Sequence, residues 1–296
     1  MAGAVSVLAA VVVAAITACS GPAAQSPKPS LGATPLPAVD RSKAADARAS
    51  LNEATGEVVL PMDKYWYSDR ENVFVNNAVG FLIDDCVESA GFTVVPWGGD
   101  GKALEDRRFG SWSRQLAARN GATPETRRIP GVLEKQVRPP VISAEQEQAA
   151  SRCYDSVGRA GFPELLEGLA GDTSIPNRIG QIAALLTSRD PEYLAYRKAW
   201  ETCVEGKGLK LLEEDGTWTM SSSGSKEDEI RVVLLGIECK ESIGGARKPY
   251  DILAQYQAAQ IKDHQAELNK LGEQKTAAVE RARQVLRDHG VADAKL

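Results

Sequence analysis

The residues of this chain best placed to do chemistry are its five cysteines, which divide into one and four. Cys19 follows Ile16-Thr17-Ala18 at the end of an apolar run over residues 5–16. A small-residue triplet ending in Cys after such a run has the form of a bacterial lipobox. In proteins carrying one, the Cys is lipidated, the preceding peptide is removed, and the Cys becomes the mature N-terminus. The run is too short to span a bilayer core of about 30 Å, which needs about 20 residues. Residues 1–18 hold no Lys or Arg, so the customary positive start of a signal peptide is missing. The competing reading is an uncleaved N-terminal anchor; two acyl chains on Cys19 would meet the requirement for stable membrane attachment.

Cys86, Cys153, Cys203 and Cys239 form an even set in a compartment that permits disulfides. Four cysteines allow three connectivities. Cys86–Cys153 with Cys203–Cys239 is favoured, because each pair then joins consecutive helical segments. A zinc site is the rival, and it is weak: no two of these cysteines have close ligand spacing and the chain has two histidines. His264 and His289 both fall on the last predicted helix, about 37 Å apart at 1.5 Å per residue, so they do not share a site within it. No serine sits in a nucleophile motif, and no phosphate-binding glycine loop or metalloprotease motif is present. Carboxylates cluster at Asp84, Asp85 and Glu88 and at Glu213-Glu214-Asp215. A glycosidase needs two carboxyl groups about 5–9 Å apart across a cleft, but such clusters are usually solvated faces. No catalytic residue, metal or cofactor is assigned.

Binding chemistry is better represented. Trp97, Trp112 and Trp218 fall in or beside predicted loops, with Arg107 and Arg108 close in sequence to the first two. Flat rings beside guanidinium groups suit recognition of a glycan or peptide. The bland alternative is that these rings fill gaps between helices. Trp200, on the helix that carries Cys203, reads as core.

The elements that must position these residues are mostly helical. Ser68-Asp69-Arg70-Glu71 is a capping box ahead of a helix running to Ala90, with Val75, Val79, Leu82, Ile83 and Cys86 on one face. Ser143-Ala144-Glu145-Gln146 opens the helix of Cys153 in the same way. Asp190-Pro191 starts a helix through Trp200 and Cys203, and Ser225 or Asp228 starts the one holding Cys239. A shorter amphipathic helix opens near Pro176. From Pro249 to Asp288 no further proline occurs and there is one glycine, so residues 249–288 read as one long helix that packs along the body or projects from it. Cys86, Cys203 and Cys239 are each followed five residues later by glycine, a faint repeat of helix ends. Strand signals are sparse, at residues 57–60 and 92–96, and residues 95–118 read as a loop rich in Gly, Arg and Trp.

Composition bounds the rest. A net charge of −5, with no basic stripe, excludes a nucleic-acid partner. Residues 20–37 carry five prolines among Ala, Ser and Gly, which gives a disordered, partly extended tether. The expected organisation is a leader over 1–18, a tether over 19–57, and a mainly α extracytoplasmic domain over 58–296. That domain is stapled by disulfides, has long irregular loops, and divides crudely into halves 58–165 and 188–245 before the last helix.

Spaced patches resemble a known family. Leu60-Pro61-Met62-Asp63-Lys64-Tyr65, Asp85-Cys86-Val87-Glu88-Ser89-Ala90-Gly91-Phe92 and Asp106-Arg107-Arg108-Phe109-Gly110 are similar to the opening of uncharacterised actinobacterial surface lipoproteins. Trp200-Glu201-Thr202-Cys203-Val204-Glu205-Gly206-Lys207-Gly208 and Glu238-Cys239-Lys240 are similar to their later half. Val87 and Val204 stand where that family commonly has Met. The resemblance implies surface location, paired cysteines and a helical fold, and it transfers no catalytic residue. The expectation is a lipid-anchored, non-catalytic protein on the outer face of the cell membrane, binding an envelope protein or cell-wall glycan. An extracytoplasmic solute-binding protein is the alternative, and a carboxylate-dependent hydrolase a more distant one.

Overall fold

Side-chain oxygens start most of the helices. In the computed structural model, which describes residues 36–95, 99–132, 142–158, 162, 174–212 and 218–291, α1 spans Asp69–Ser89. Ser68 and Glu71 close its capping box in both directions. Ser113, Ser143, Ser174, Asp190 and Ser225 cap α2 (Arg114–Asn120), α3 (Ala144–Cys153), α4 (Ile175–Arg189), α5 (Pro191–Gly206) and α6 (Lys226–Ser242). Each accepts a backbone N–H two or three residues on, satisfying a donor the helix leaves orphaned. The last two helices are α7 (Arg247–Asp263) and α8 (Gln265–Asp288).

The faint glycine repeat is a repeat of cap geometry. Gly91 and Gly208 take φ of 89° and 75°, and the amides after them, Phe92 and Leu209, donate back to Val87 and Val204. Gly244, at φ 113°, ends α6 in the same way, with Gly245 donating to Lys240 at 2.7 Å. These are Schellman ends, which need a residue free of Cβ strain at positive φ. Cys153 departs from the pattern because α3 runs on into a π turn over Tyr154–Gly158.

The described fold is mainly α, and both disulfides pair as the sequence suggests. Cys86–Cys153 ties α1 to α3 and Cys203–Cys239 ties α5 to α6, each with Cα atoms 5.7 Å apart. Among the described residues two antiparallel strand pairs accompany the helices: β1 (Ser50–Asn52) with β2 (Glu57–Val59) in a hairpin, and β3 (Gly101–Leu104) with β4 (Thr126–Ile129) across α2. One core gathers Trp200, Trp218, Tyr196, Phe109 and Trp112 around Tyr250 and Leu253 of α7. A second packs Phe74, Ala78 and Phe81 of α1 against Ala278, Ala282 and Leu286 of α8.

Four expectations change. The tether does not reach residue 57, because the compact unit begins at Pro37 and Arg41 pairs with Asp190 at 2.7 Å and Glu192 at 2.8 Å. The Ala49 amide donates to Asp251, and β1 pairs with β2, so long-range bonds order a stretch whose local composition looks like linker. The helix expected over 249–288 is two, bent at His264, whose φ of −117° breaks the run, and the 24-residue α8 is the long C-terminal one. The bend lets one apolar stripe serve two cores, through α7 in the first and α8 in the second. Residues 92–95 form no strand. The loop over 95–118 instead contains β3 and the start of α2, whose partners lie at residues 126–129 and on α6. Cys19, Trp97 and Glu213-Glu214-Asp215 lie outside the described residues.

Candidate functional site

Arg107, Arg108 and Trp218 come together, and the residue that unites them is one that sequence reasoning passed over. They line a cavity of about 310 Å³ with Trp200, Gly236 and Lys240. Lys240 is the last basic residue of α6, and its side chain is 2% exposed. Its ammonium donates to the carbonyls of Phe109 and, at 2.8 Å, of Ser111, and lies 4.6 Å from the Trp218 ring centre. Among the described residues no carboxylate pairs with it. Burial, aided by the charges of Arg197 and Arg107, pulls its pKa down to about 7.

The rings are packed tightly. Trp218 and Trp200 have centroids 4.7 Å apart, and Arg197 lies 4.5 Å from Trp218 and 5.1 Å from Trp200. Trp200 donates its indole N–H to the Gly236 carbonyl at 3.0 Å, which fixes its plane. Such cation–ring contacts each contribute about 0.5–2 kcal/mol when desolvated. Trp218 is 9% exposed and Trp112 8%, so neither presents the open aromatic surface that its loop position suggests. Trp112 instead donates its indole N–H to the Asp106 carbonyl at 2.7 Å, holding the turn before it. This is a correction to both as surface contacts; Trp218 still reaches the cavity and Trp112 does not line it.

The two arginines have different work. Arg107 is only 14% exposed and ties the turn after α2, donating to the carbonyls of Ala122 at 2.6 Å and Thr123 at 3.1 Å. It also pairs with the buried Glu105 at 2.8 Å. Among the described residues its Nε–H has no partner, a buried donor beside the cavity. Arg108 is 46% exposed and touches Asp106 only loosely, at 3.6 Å, which leaves its guanidinium near the mouth. Glycine is required at position 110, just after them: its φ is +74°, and a Cβ there would collide with Trp218 and sit 3.1 Å from the Lys240 nitrogen. Asp106 accepts from the Tyr250 hydroxyl at 2.8 Å, anchoring the same loop to α7.

The other candidate groups are elsewhere. Asp85 contacts His289 across α1 and α8 at 3.0 Å, and Asp84 beside it is raised to about 6, first by burial and then by Glu88 and Asp85. His264 pairs with Glu267 on α8. Among the described residues no group of three or more His, Cys, Asp or Glu is arranged to hold a metal ion, and no helix is long and apolar enough to cross a membrane. The paired cysteines place the chain in an oxidising, extracytoplasmic setting. Comparison with family models, curated proteins and solved structures finds no match for this chain.

The signal that could have exposed Lys240 is slight. It follows Cys239 on a helix whose apolar positions are Ile230, Val233, Leu234 and Ile237, and that face continues onto Lys240 three residues on. A lysine on an apolar stripe commonly snorkels to solvent. Only the position of the Phe109–Ser111 loop over it reveals that this one does not.

Proposed function

We propose that this chain is a non-catalytic binding protein of the cell envelope, held to the membrane by a lipid on Cys19, that takes a small solute into the cavity around Lys240. The observation that carries the reading is the convergence of cationic groups and two indole rings on one recess. At about 310 Å³ it falls at the small end of the range for ligand pockets. A recess lined by fixed rings and a few polar groups is how proteins bind small molecules without chemistry on them.

Support for a protein or glycan partner is thinner. That reading asks for an exposed patch from the tryptophans or the last helix. Trp112 is buried, and the apolar stripe of α8 is spent against α1 and the turn at Tyr65. Resemblance to actinobacterial surface lipoproteins and the oxidised cysteines support the location.

A thermal-shift screen of the detergent-solubilised full chain against small solutes of varied charge tests the reading. Binding to the native state alone raises the melting temperature by mass action. A hit that Gly236→Ala suppresses supports the cavity, since the added Cβ lies 2.5 Å from the Met220 methyl and forces that cavity-lining side chain to move. A screen without hits refutes it. Separately, Cys19→Ser should move the protein from the membrane fraction to the medium, and retention in the membrane would refute the lipid anchor.

A further inference from the structure

The charge on the cavity wall narrows the class of solute, an inference that rests on the solute-binding reading. We infer that the cavity takes a small oxyanion carried on a flat apolar body, with the anionic group at Lys240 and Arg108 and the body against Trp218. Three of the lining side chains are cationic, Arg107, Arg108 and Lys240, and no carboxylate is among the described residues that line it. Arg107 is neutralised by Glu105, and Arg108 has only a loose, partly exposed partner. Lys240 is buried with carbonyl dipoles and a ring face for company.

An ammonium has three donors, and the carbonyls of Phe109 and Ser111 use two of them. The third donor and the idle Arg107 Nε–H are both buried hydrogen-bonding groups at this recess. A buried charge lacking an ionic partner is costly to keep, and an incoming anion supplies the missing counter-charge and acceptor together. Oxyanion oxygens have the lone pairs to fill such donors with charge-assisted bonds. A neutral or cationic solute would leave Lys240 as it is or oppose it. The indole supplies the apolar contact, so a bare anion meets only half of the wall.

If Lys240 served only to pin the 109–111 loop, its removal would change stability without changing which solutes bind. Binding of four probes to the detergent-solubilised full chain, followed by tryptophan fluorescence and calorimetry, separates these roles. The probes are benzoate, benzamide, benzylammonium and inorganic phosphate. Benzoate should bind about tenfold or more tighter than benzamide, a difference of about 1.4 kcal/mol, and benzylammonium should not bind. Phosphate should compete with benzoate from the same site, and its rank relative to benzoate tells whether a carboxylate or a phosphate is the better anionic group. Lys240→Met should cost the benzoate complex about tenfold more than it costs the benzamide complex, since loss of the loop brace weighs on both and loss of the charge on benzoate alone. Arg108→Gln, at an exposed position that does not threaten folding, should weaken benzoate by a smaller factor. Benzamide or benzylammonium binding as well as benzoate, or benzoate affinity unmoved in both variants, would overturn the oxyanion while leaving a solute site standing. No binding by any probe up to millimolar concentration would overturn both readings.

Discussion

Replacing Lys240 with Met keeps an unbranched apolar stem and removes the ammonium, so the two proteins should differ in how stability depends on pH. In the fold, burial and the nearby Arg197 and Arg107 hold the amine at about 7. In the unfolded chain it titrates near its ordinary value of about 10.4. Between those two values the unfolded chain holds the proton more often than the native one, so stability rises with pH. Below about 7 both states are charged and the full cost of burying the ammonium is present. That cost is relieved as pH climbs through 7 toward 10.4, at up to about 1.4 kcal/mol per pH unit. From about pH 7 to about 9.5 the wild type should therefore gain about 3 kcal/mol relative to Lys240→Met. Other lysines and tyrosines titrate in both proteins and cancel in the difference. The carbonyls of Phe109 and Ser111, orphaned by the substitution, add a constant offset that carries no slope. Urea unfolding followed by far-ultraviolet circular dichroism at several pH values reads the difference directly. Parallel curves for the two proteins would refute the reasoning, and would mean that the two carbonyls and the ring faces stabilise the charge as well as water does.

Three further outcomes are expected. Cys203→Ala with Cys239→Ala opens a loop of sequence separation 36 and should cost about 4 kcal/mol in the chain-entropy account, seen as a lower urea midpoint; an unchanged midpoint would show that native packing already fixes α5 on α6. Arg107→Ala strands the buried Glu105 and should cost about 3 kcal/mol or more, whereas Arg108→Ala should cost less than about 1 kcal/mol; equal losses in chemical denaturation would contradict the division between anchor and mouth. Asp84 is raised to about 6, so its fold prefers the protonated acid and loses stability as pH rises from its ordinary range through 6. Asp84→Asn should accordingly raise the melting temperature near neutral pH and not near pH 4, and the reverse order would discredit the burial of that carboxyl.

Helix starts were legible because their causes are local, and the disulfide pairing because four cysteines on successive helices leave few connectivities. Ser68, Asp190 and Ser225 act within three residues of themselves, and the spacing of Cys203 and Cys239 on neighbouring helices leaves one easy partner. What stayed hidden depends on distant groups. Nothing near Arg41 announces that Asp190 and Glu192 will order the segment after Pro37. Asp263-His264-Gln265 contains neither Gly nor Pro, and the bend there answers to two cores on different elements. The face of α1 shifted in part: Val75 is buried as expected, but Phe74, Ala78 and Phe81 are buried with it while Leu82 and Ile83 lie half out. The candidate site was half legible. Arg107, Arg108 and Trp218 stood out by type, but the burial that distinguishes anchor from mouth, and the lysine between them, follow from a loop crossing a helix 130 residues away in sequence.

The staples and the cavity belong to one construction. Cys239 and Lys240 are adjacent, so one end of α6 is bound covalently to α5 and by its ammonium to the loop at Phe109–Ser111. That loop lacks regular structure from Glu105 to Trp112 and has few backbone bonds of its own to define it. It is braced instead by side chains: Arg107 to the turn after α2, Asp106 to Tyr250, the Trp112 indole to the Asp106 carbonyl, and Lys240 from below. Ordering a free side chain on binding costs about 0.5–1.5 kcal/mol, so a wall braced before the solute arrives spares several such terms. Two of these braces, Arg107 and Lys240, are also cations that give the wall its charge. Rigidity and anion preference thus share Arg107 and Lys240, while Arg108, exposed and bracing nothing, adjusts to the solute.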